Sequence, residues 1–187
     1  ETFDPNLHEA LSHLGTDADV EVTTIKHLAK AGYLIGDRVV RAAQVLGKTP
    51  DQKATIRAYE GFLASYGGDP AHAAKAVEAQ LRIGQAYAKM GDRKKAEQYY
   101  RSTVGAFDAK KLQAATDAAD LPAEAQFLLA EYALADVLEV KISSTGKKME
   151  KEIKVLTDRL QVASSAYDNV FPYRRIDWVL AAMYRRG

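Results

Sequence analysis

The chain has 187 residues, with 26 Lys+Arg against 25 Asp+Glu, 47% hydrophobic residues and no cysteine. That composition excludes a disordered or collagen-like chain, a disulfide framework and any thiolate metal site. Its 32 alanines against 12 glycines and 5 prolines point to helix throughout, because Ala is the strongest helix former. The net charge of +1 is unevenly spread: residues 1–30 carry six acids and two bases, residues 141–187 ten bases and five acids.

In chain order, Asp4-Pro5 before Leu7, Ala10, Leu11 and Leu14 supplies an N-cap, a proline at the first helical position and an apolar stripe at helical spacing, with Gly15 closing a short helix. A longer helical pattern follows from about Val20 to Leu46, interrupted by Gly32 and Gly36, and Gly47 to Pro50 ends it. Thr49-Pro50-Asp51 opens a helix carrying Ile56, Tyr59, Phe62 and Leu63 that stops at Gly67-Gly68-Asp69-Pro70. The spacing predicts a helix over 71–90, a tight turn at Gly91-Asp92 and an antiparallel partner from Lys94 to about Phe107. Residues 109–120 are weakly amphipathic. Leu121-Pro122-Ala123 restarts a helix to about Ile142, Ser143 to Gly146 forms a loop, and a long helix from Lys147 to Val170 places Ile153, Leu156, Leu160, Ala163 and Tyr167 on one stripe. Pro172 opens a last helix, with Trp178 and Tyr184 expected to pack on the 147–170 helix. No period-2 strand and no run of about 18 apolar residues occurs, so no transmembrane segment is expected.

Three stretches are alike: Ala79-Gln80-Leu81-Arg82-Ile83-Gly84, Ala125-Gln126-Phe127-Leu128-Leu129-Ala130 and Ala182-Met183-Tyr184-Arg185-Arg186-Gly187. The following helices share Ala-x-x-x-aromatic, as Ala58/Phe62, Ala96/Tyr100 and Ala163/Tyr167, a small residue one turn from a ring. With Ile83-Gly84, Tyr87, Gly91-Asp92, Ala96 and Tyr100 in place, residues 50–187 resemble the tetratricopeptide repeat (TPR) family, although the Ala-aromatic motif recurs after 38 and then 67 residues rather than the family's period of about 34. The long helices resemble the divergent repeat proteins of bacterial cell envelopes, of the outer-membrane assembly lipoprotein type.

The resemblance implies an all-α fold, a right-handed superhelical stack of antiparallel helix pairs (a TPR-like solenoid) over residues 49–187, preceded by N-terminal helices in residues 1–48. It implies a protein-protein interaction scaffold of the periplasm or cell envelope, without catalysis or cofactor, whose partner is a protein or peptide segment. The matching concave-face positions are Glu78, Leu81 and Gln85 in one copy and Glu124, Phe127 and Glu131 in the next. They form an apolar strip beside acids, suited to a segment with apolar anchors and some Lys or Arg. The rival readings are a small-ligand-binding regulatory domain and an RNA-binding helical repeat. The opening Glu1-Thr2-Phe3-Asp4, without Met, and the close at Gly187 are taken to mean a piece of a longer protein, cut within its last repeat.

Catalytic and metal signatures fail on spacing. His8 and His13 are five apart, about 140° round a helix, where a zinc pair on one face needs four. His27 and His72 have no companion ligands in sequence. Ser144-Thr145-Gly146-Lys147-Lys148 lacks the glycine at 141 and the hydroxyl at 148 of a phosphate loop, and reads as a helix-helix connection. The mixed charges of 147–159 read as a solvated face with pairs such as Glu150/Lys154. Arg174-Arg175 and Arg185-Arg186 beside aromatics invite nucleic acid, but a net charge of +1 argues against it, so no nucleic-acid partner is expected.

Overall fold

The computed structural model describes residues 51–187, and the N-terminal helices expected within 1–48, with His8, His13 and His27, lie outside the described residues. The described residues are helical with no strand. Helix α1 spans Gln52–Tyr66, α2 Ala73–Lys89, α3 Arg93–Ala109, α4 Asp120–Leu138, α5 Lys147–Asp168 and α6 Ile176–Arg186. Short 3-10 turns at Pro70–His72, Asp117–Ala119 and Phe171–Tyr173 lead into α2, α4 and α6. Each helix packs on the next, and α2 also touches α4, as α4 touches α6.

Carboxylate caps set where these elements begin. Asp51 accepts from the Lys53 amide at 2.9 Å, Asp69 from Ala71 at 2.8 Å and Asp92 from Lys95 at 3.1 Å, each satisfying a donor that the first turn leaves unpaired. Gly91, at φ +78°, makes the tight reversal between α2 and α3 that a side chain would strain. The last helix differs from expectation. Pro172 starts only a 3-10 turn, Arg174 then turns left-handed at φ +57°, and α6 begins at Ile176. Helix α4 likewise stops at Leu138, short of Ile142.

Three apolar clusters hold the array together. Ile56, Tyr59 and Phe62 of α1 pack on Ala79, Ile83 and Ala86 of α2. Leu81, Ala96, Tyr100 and Ala125 join α2, α3 and α4. Val77, Phe107, Ala123, Ala130, Tyr167, Val170 and Ala182 tie α2 and α3 to the last three helices. Where α2 meets α3 the approach is so close that a Cβ on Gly84 would lie 2.6 Å from the Tyr100 ring. The Ala-aromatic pairs 96/100 and 163/167 are buried as small-against-large contacts, whereas beside Phe62 it is Tyr59, not Ala58, that is buried.

The expected stripe on α5 is buried only in part. Ala163 and Tyr167 are covered, but Ile153 and Leu160 are exposed. The reason is register: Tyr167 meets Glu131 and Arg159 meets the Asp136 carbonyl, so the 19-residue α4 ends opposite the middle of the 22-residue α5 and leaves its first turns without a facing helix. Tyr184, expected against this helix, is 84% exposed.

Candidate functional site

The six residues singled out on α2 and α4 are spent on internal partners: Gln85 and Glu124 on each other, the remaining four on residues outside the set. Leu81 is fully buried beside Ala96 and Tyr100, so the expected apolar strip loses its first anchor to the core. Glu78, three residues before it, pairs with Arg82 at 3.3 Å. Arg82 also donates to Gln85 Oε1 at 3.1 Å, and Gln85 Nε2 donates to Glu124 Oε1 at 2.6 Å, bridging α2 to α4. Burial pushes the Glu124 carboxyl above its usual range, against the opposing pull of Arg82 and of the Gln85 hydrogen bond.

On α4 one turn further, Phe127 is half-buried between Tyr167 and Trp178, with ring centroids 5.7 and 5.5 Å away. Glu131 accepts from the Tyr167 hydroxyl at 2.5 Å and pairs with Arg185 at 2.8 Å. Burial, then the Glu131 hydrogen bond, raises the Tyr167 phenol. All three acids of the expected face thus have internal partners, and Phe127 works as the wedge between α4, α5 and α6.

The neighbouring constellation on α3 and α4 gave no local signal in sequence. Arg93 forks onto Asp136, with one bond at 2.8 Å, donates to Glu97 at 2.7 Å and to the Tyr132 carbonyl at 3.2 Å, and lies 4.8 Å over the Tyr132 ring. The Arg93 hydrogen bonds hold the Asp136 carboxyl below its usual range. The partners are 43 residues apart, so only the α3–α4 crossing reveals them. This is a planar guanidinium clamp between helices, not a substrate site.

The remaining candidates also resolve into structure. Ser143 and Ser144 give their amides to Glu152 at 3.1 and 3.2 Å, so a carboxylate already occupies the loop that an anion would use. The helical ion pair on α5 is Lys154–Asp158 at 2.9 Å rather than Glu150/Lys154. His72 lies 3.9 Å from Asp69 and edge-on to Tyr66. No group of three or more metal-ligating side chains occurs among the described residues. Three of the four C-terminal arginines are in ion pairs: Arg175 with Asp120, Arg185 with Glu131 and Arg186 with Asp168. No described helix is long and apolar enough to cross a membrane.

Comparison with known proteins points elsewhere than the repeat signature. The GrpE family model matches residues 1–46. Protein GrpE of Bifidobacterium longum is 50% identical over 50 residues, covering 27% of this chain and 22% of that protein. Protein GrpE of Parvibaculum lavamentivorans is 54% identical over 46 residues, 24% of this chain and 21% of that protein, and Protein GrpE of Thermosynechococcus vestitus 47% over 51, 27% and 20%. The chain spans about a fifth of the length of these relatives. No solved structure matches the chain significantly. These matches overturn the tetratricopeptide assignment, and with it the cell-envelope scaffold, and they lend no support to either rival reading. Gly84 against Tyr100 and Ala96 in the core show what the signature was reporting: close helix packing, which any tightly paired helices require.

Proposed function

We propose that the chain is a co-chaperone with no catalysis of its own, a nucleotide exchange cofactor for a DnaK-type chaperone, with the exchange element in residues 1–46 and a helical array attached to it from about residue 49. The observation that carries this reading is the half-identity to GrpE proteins over 50 residues. Exchange of a bound nucleotide requires no nucleophile, base or cofactor from the cofactor protein. It requires only tighter binding to the nucleotide-free state of the partner, and by linkage this lowers the partner's affinity for nucleotide. The partner is accordingly a protein. The array is best read as a stack of antiparallel helix pairs, supported by the packing of each helix on the next and by the second-neighbour contacts of α2 with α4 and of α4 with α6.

The test is the release of a fluorescent ADP analogue from a bacterial DnaK-type chaperone, followed by stopped flow. Addition of the full chain is expected to accelerate release in a saturable, stoichiometric manner. An unchanged release rate at excess chain would overturn the assignment.

A further inference from the structure

Helix α5 carries apolar residues at alternating spacings of four and three: Met149, Ile153, Leu156, Leu160, Ala163 and Tyr167. This is the seam of a coiled coil, with Ile153, Leu160 and Tyr167 at a positions and Met149, Leu156 and Ala163 at d. The array uses only the C-terminal part of it. Ala163 and Tyr167 are buried against α4, whereas Met149, Ile153 and Leu160 are exposed and Leu156 is half-buried, because α4 stops at Leu138.

The bare part of the seam is complementary to itself. On a second α5 laid antiparallel about a two-fold axis between residues 154 and 155, Met149 falls opposite Leu160 and Ile153 opposite Leu156, each a position facing a d. The four uncovered positions thus close on their own copies with none left over. The flanking g positions are Glu152 and Arg159, and in this register each meets the other across the seam, twice by symmetry. A shift of one heptad either way sets Glu152 against Glu152 or Arg159 against Arg159, and the second shift also calls on Ala163, which α4 covers. A parallel pairing sets Glu152 against Thr157 and Arg159 against Ser164, with no opposite charges. Charge therefore selects one antiparallel register.

Both charged groups keep capacity for a partner. Glu152 accepts from the Ser143 and Ser144 amides and the Ser144 hydroxyl, and Arg159 donates to the Asp136 carbonyl. All these partners are neutral, and neither charge is in an ion pair among the described residues. A carboxylate offers roughly four acceptor sites and a guanidinium roughly five donors, so neither is used up.

We propose that a second copy of this chain docks antiparallel on residues 149–160 of α5, forming a two-fold dimer with Ile153 against Leu156 at its centre. The interface lies outside residues 1–46, and neither it nor its test depends on nucleotide exchange. Four apolar layers make a small contact, so the pairing is reversible, with a dissociation constant on the order of micromolar.

Sedimentation equilibrium of the full chain is expected to show a monomer-dimer equilibrium, and a chain that stays monomeric at about a hundred times that concentration overturns the proposal. Ile153→Glu with Leu160→Glu, both at exposed positions, should raise the dissociation constant more than about a hundredfold with helical circular dichroism unchanged. A dimer that survives this double substitution lies elsewhere and overturns the proposal. Orientation is read separately, in a chain with no native cysteine. A Met149→Cys chain mixed with a Leu160→Cys chain and treated with a short bismaleimide should cross-link faster than either alone, because each cysteine lies about 16 Å along the axis from its own copy. Cross-linking of either variant alone at the rate of the mixture, or faster, overturns the antiparallel register. Arg159→Glu is expected to weaken the dimer about tenfold, and Glu152→Arg in the same chain to restore it; failure to restore overturns the charge pairing on which the register rests.

Discussion

Gly84→Ala tests the close approach of α2 to α3. Two effects of known sign compete. Within α2 an Ala is a better helix former than Gly by about 1 kcal/mol. Against that, the new Cβ would stand 2.6 and 2.7 Å from two ring carbons of Tyr100 and 3.3 Å from the Tyr99 Cβ. The Tyr100 ring cannot swing aside, being 1% exposed and packed with Leu81, Ala96 and Ala125, so α3 must move away from α2. Overpacking of this kind costs roughly 1–3 kcal/mol, and the sterics win by about 1 kcal/mol net. Gly61→Ala and Gly105→Ala are the controls, since a Cβ at either meets nothing within 4 Å; each is expected to stabilise by about 0.5–1 kcal/mol. Urea unfolding of the three variants should therefore move the midpoint down for Gly84 and up for the other two. In a Tyr100→Leu background the cost of Gly84→Ala should shrink, because the obstructing ring carbons are gone. If Gly84→Ala stabilises as the controls do, the helices are not in the contact described.

Ala96→Leu, at a position with no exposed surface between α2 and α4, should cost roughly 1–3 kcal/mol in thermal unfolding, and an unchanged midpoint would remove Ala96 from the interface. Tyr167→Phe deletes the hydroxyl that reaches Glu131 and should cost about 1 kcal/mol while leaving the Phe127 packing in place; a loss several times larger would show that the ring itself had moved. For Asp136 the folded carboxyl lies below its unfolded value, so it contributes stability above the unfolded range that is lost as pH falls through the folded one. Asp136→Asn should flatten the acid limb of a stability-pH profile. Glu124 has the opposite sign: its raised folded value means stability falls as pH rises from the unfolded range through the folded one, and Glu124→Gln should abolish that decline.

Helix boundaries in residues 51–187 were largely legible because they are local chemistry. Asp51, Asp69 and Asp92 announce N-termini by supplying an acceptor, and Gly91 announces a reversal by tolerating positive φ. What the pattern could not show was register. Ile153 and Leu160 have the same periodicity as Ala163 and Tyr167, yet only the latter pair faces α4, because the end of α4 at Leu138 decides how much of α5 is covered. Pro172 gave an early start for α6 because a proline at a first turn is equally at home in 3-10 and α geometry. The left-handed residue that separates the two is Arg174, whose side chain carries no propensity for it.

The candidate face was harder to read, because the same residue types build a face and use it up. Glu78, Gln85, Glu124 and Glu131 look like a ligand-binding row as long as their partners are unknown; Arg82, Tyr167 and Arg185 then arrive from one turn, 36 and 54 residues away. The Arg93 clamp escaped notice for the converse reason, since its acids are Glu97 in the next turn and Asp136 on another helix. Small residues opposite rings, as at Gly84 with Tyr100 and Ala163 beside Tyr167, are dictated by interaxial distance and thus recur wherever helices pair closely. They report packing geometry without ancestry, which is why a repeat-like pattern in one part of the chain gave no warning of the GrpE similarity in residues 1–46. Function is carried by particular side chains at particular places, and here the stretch similar to GrpE proteins is distinct from the stretch whose packing is most legible.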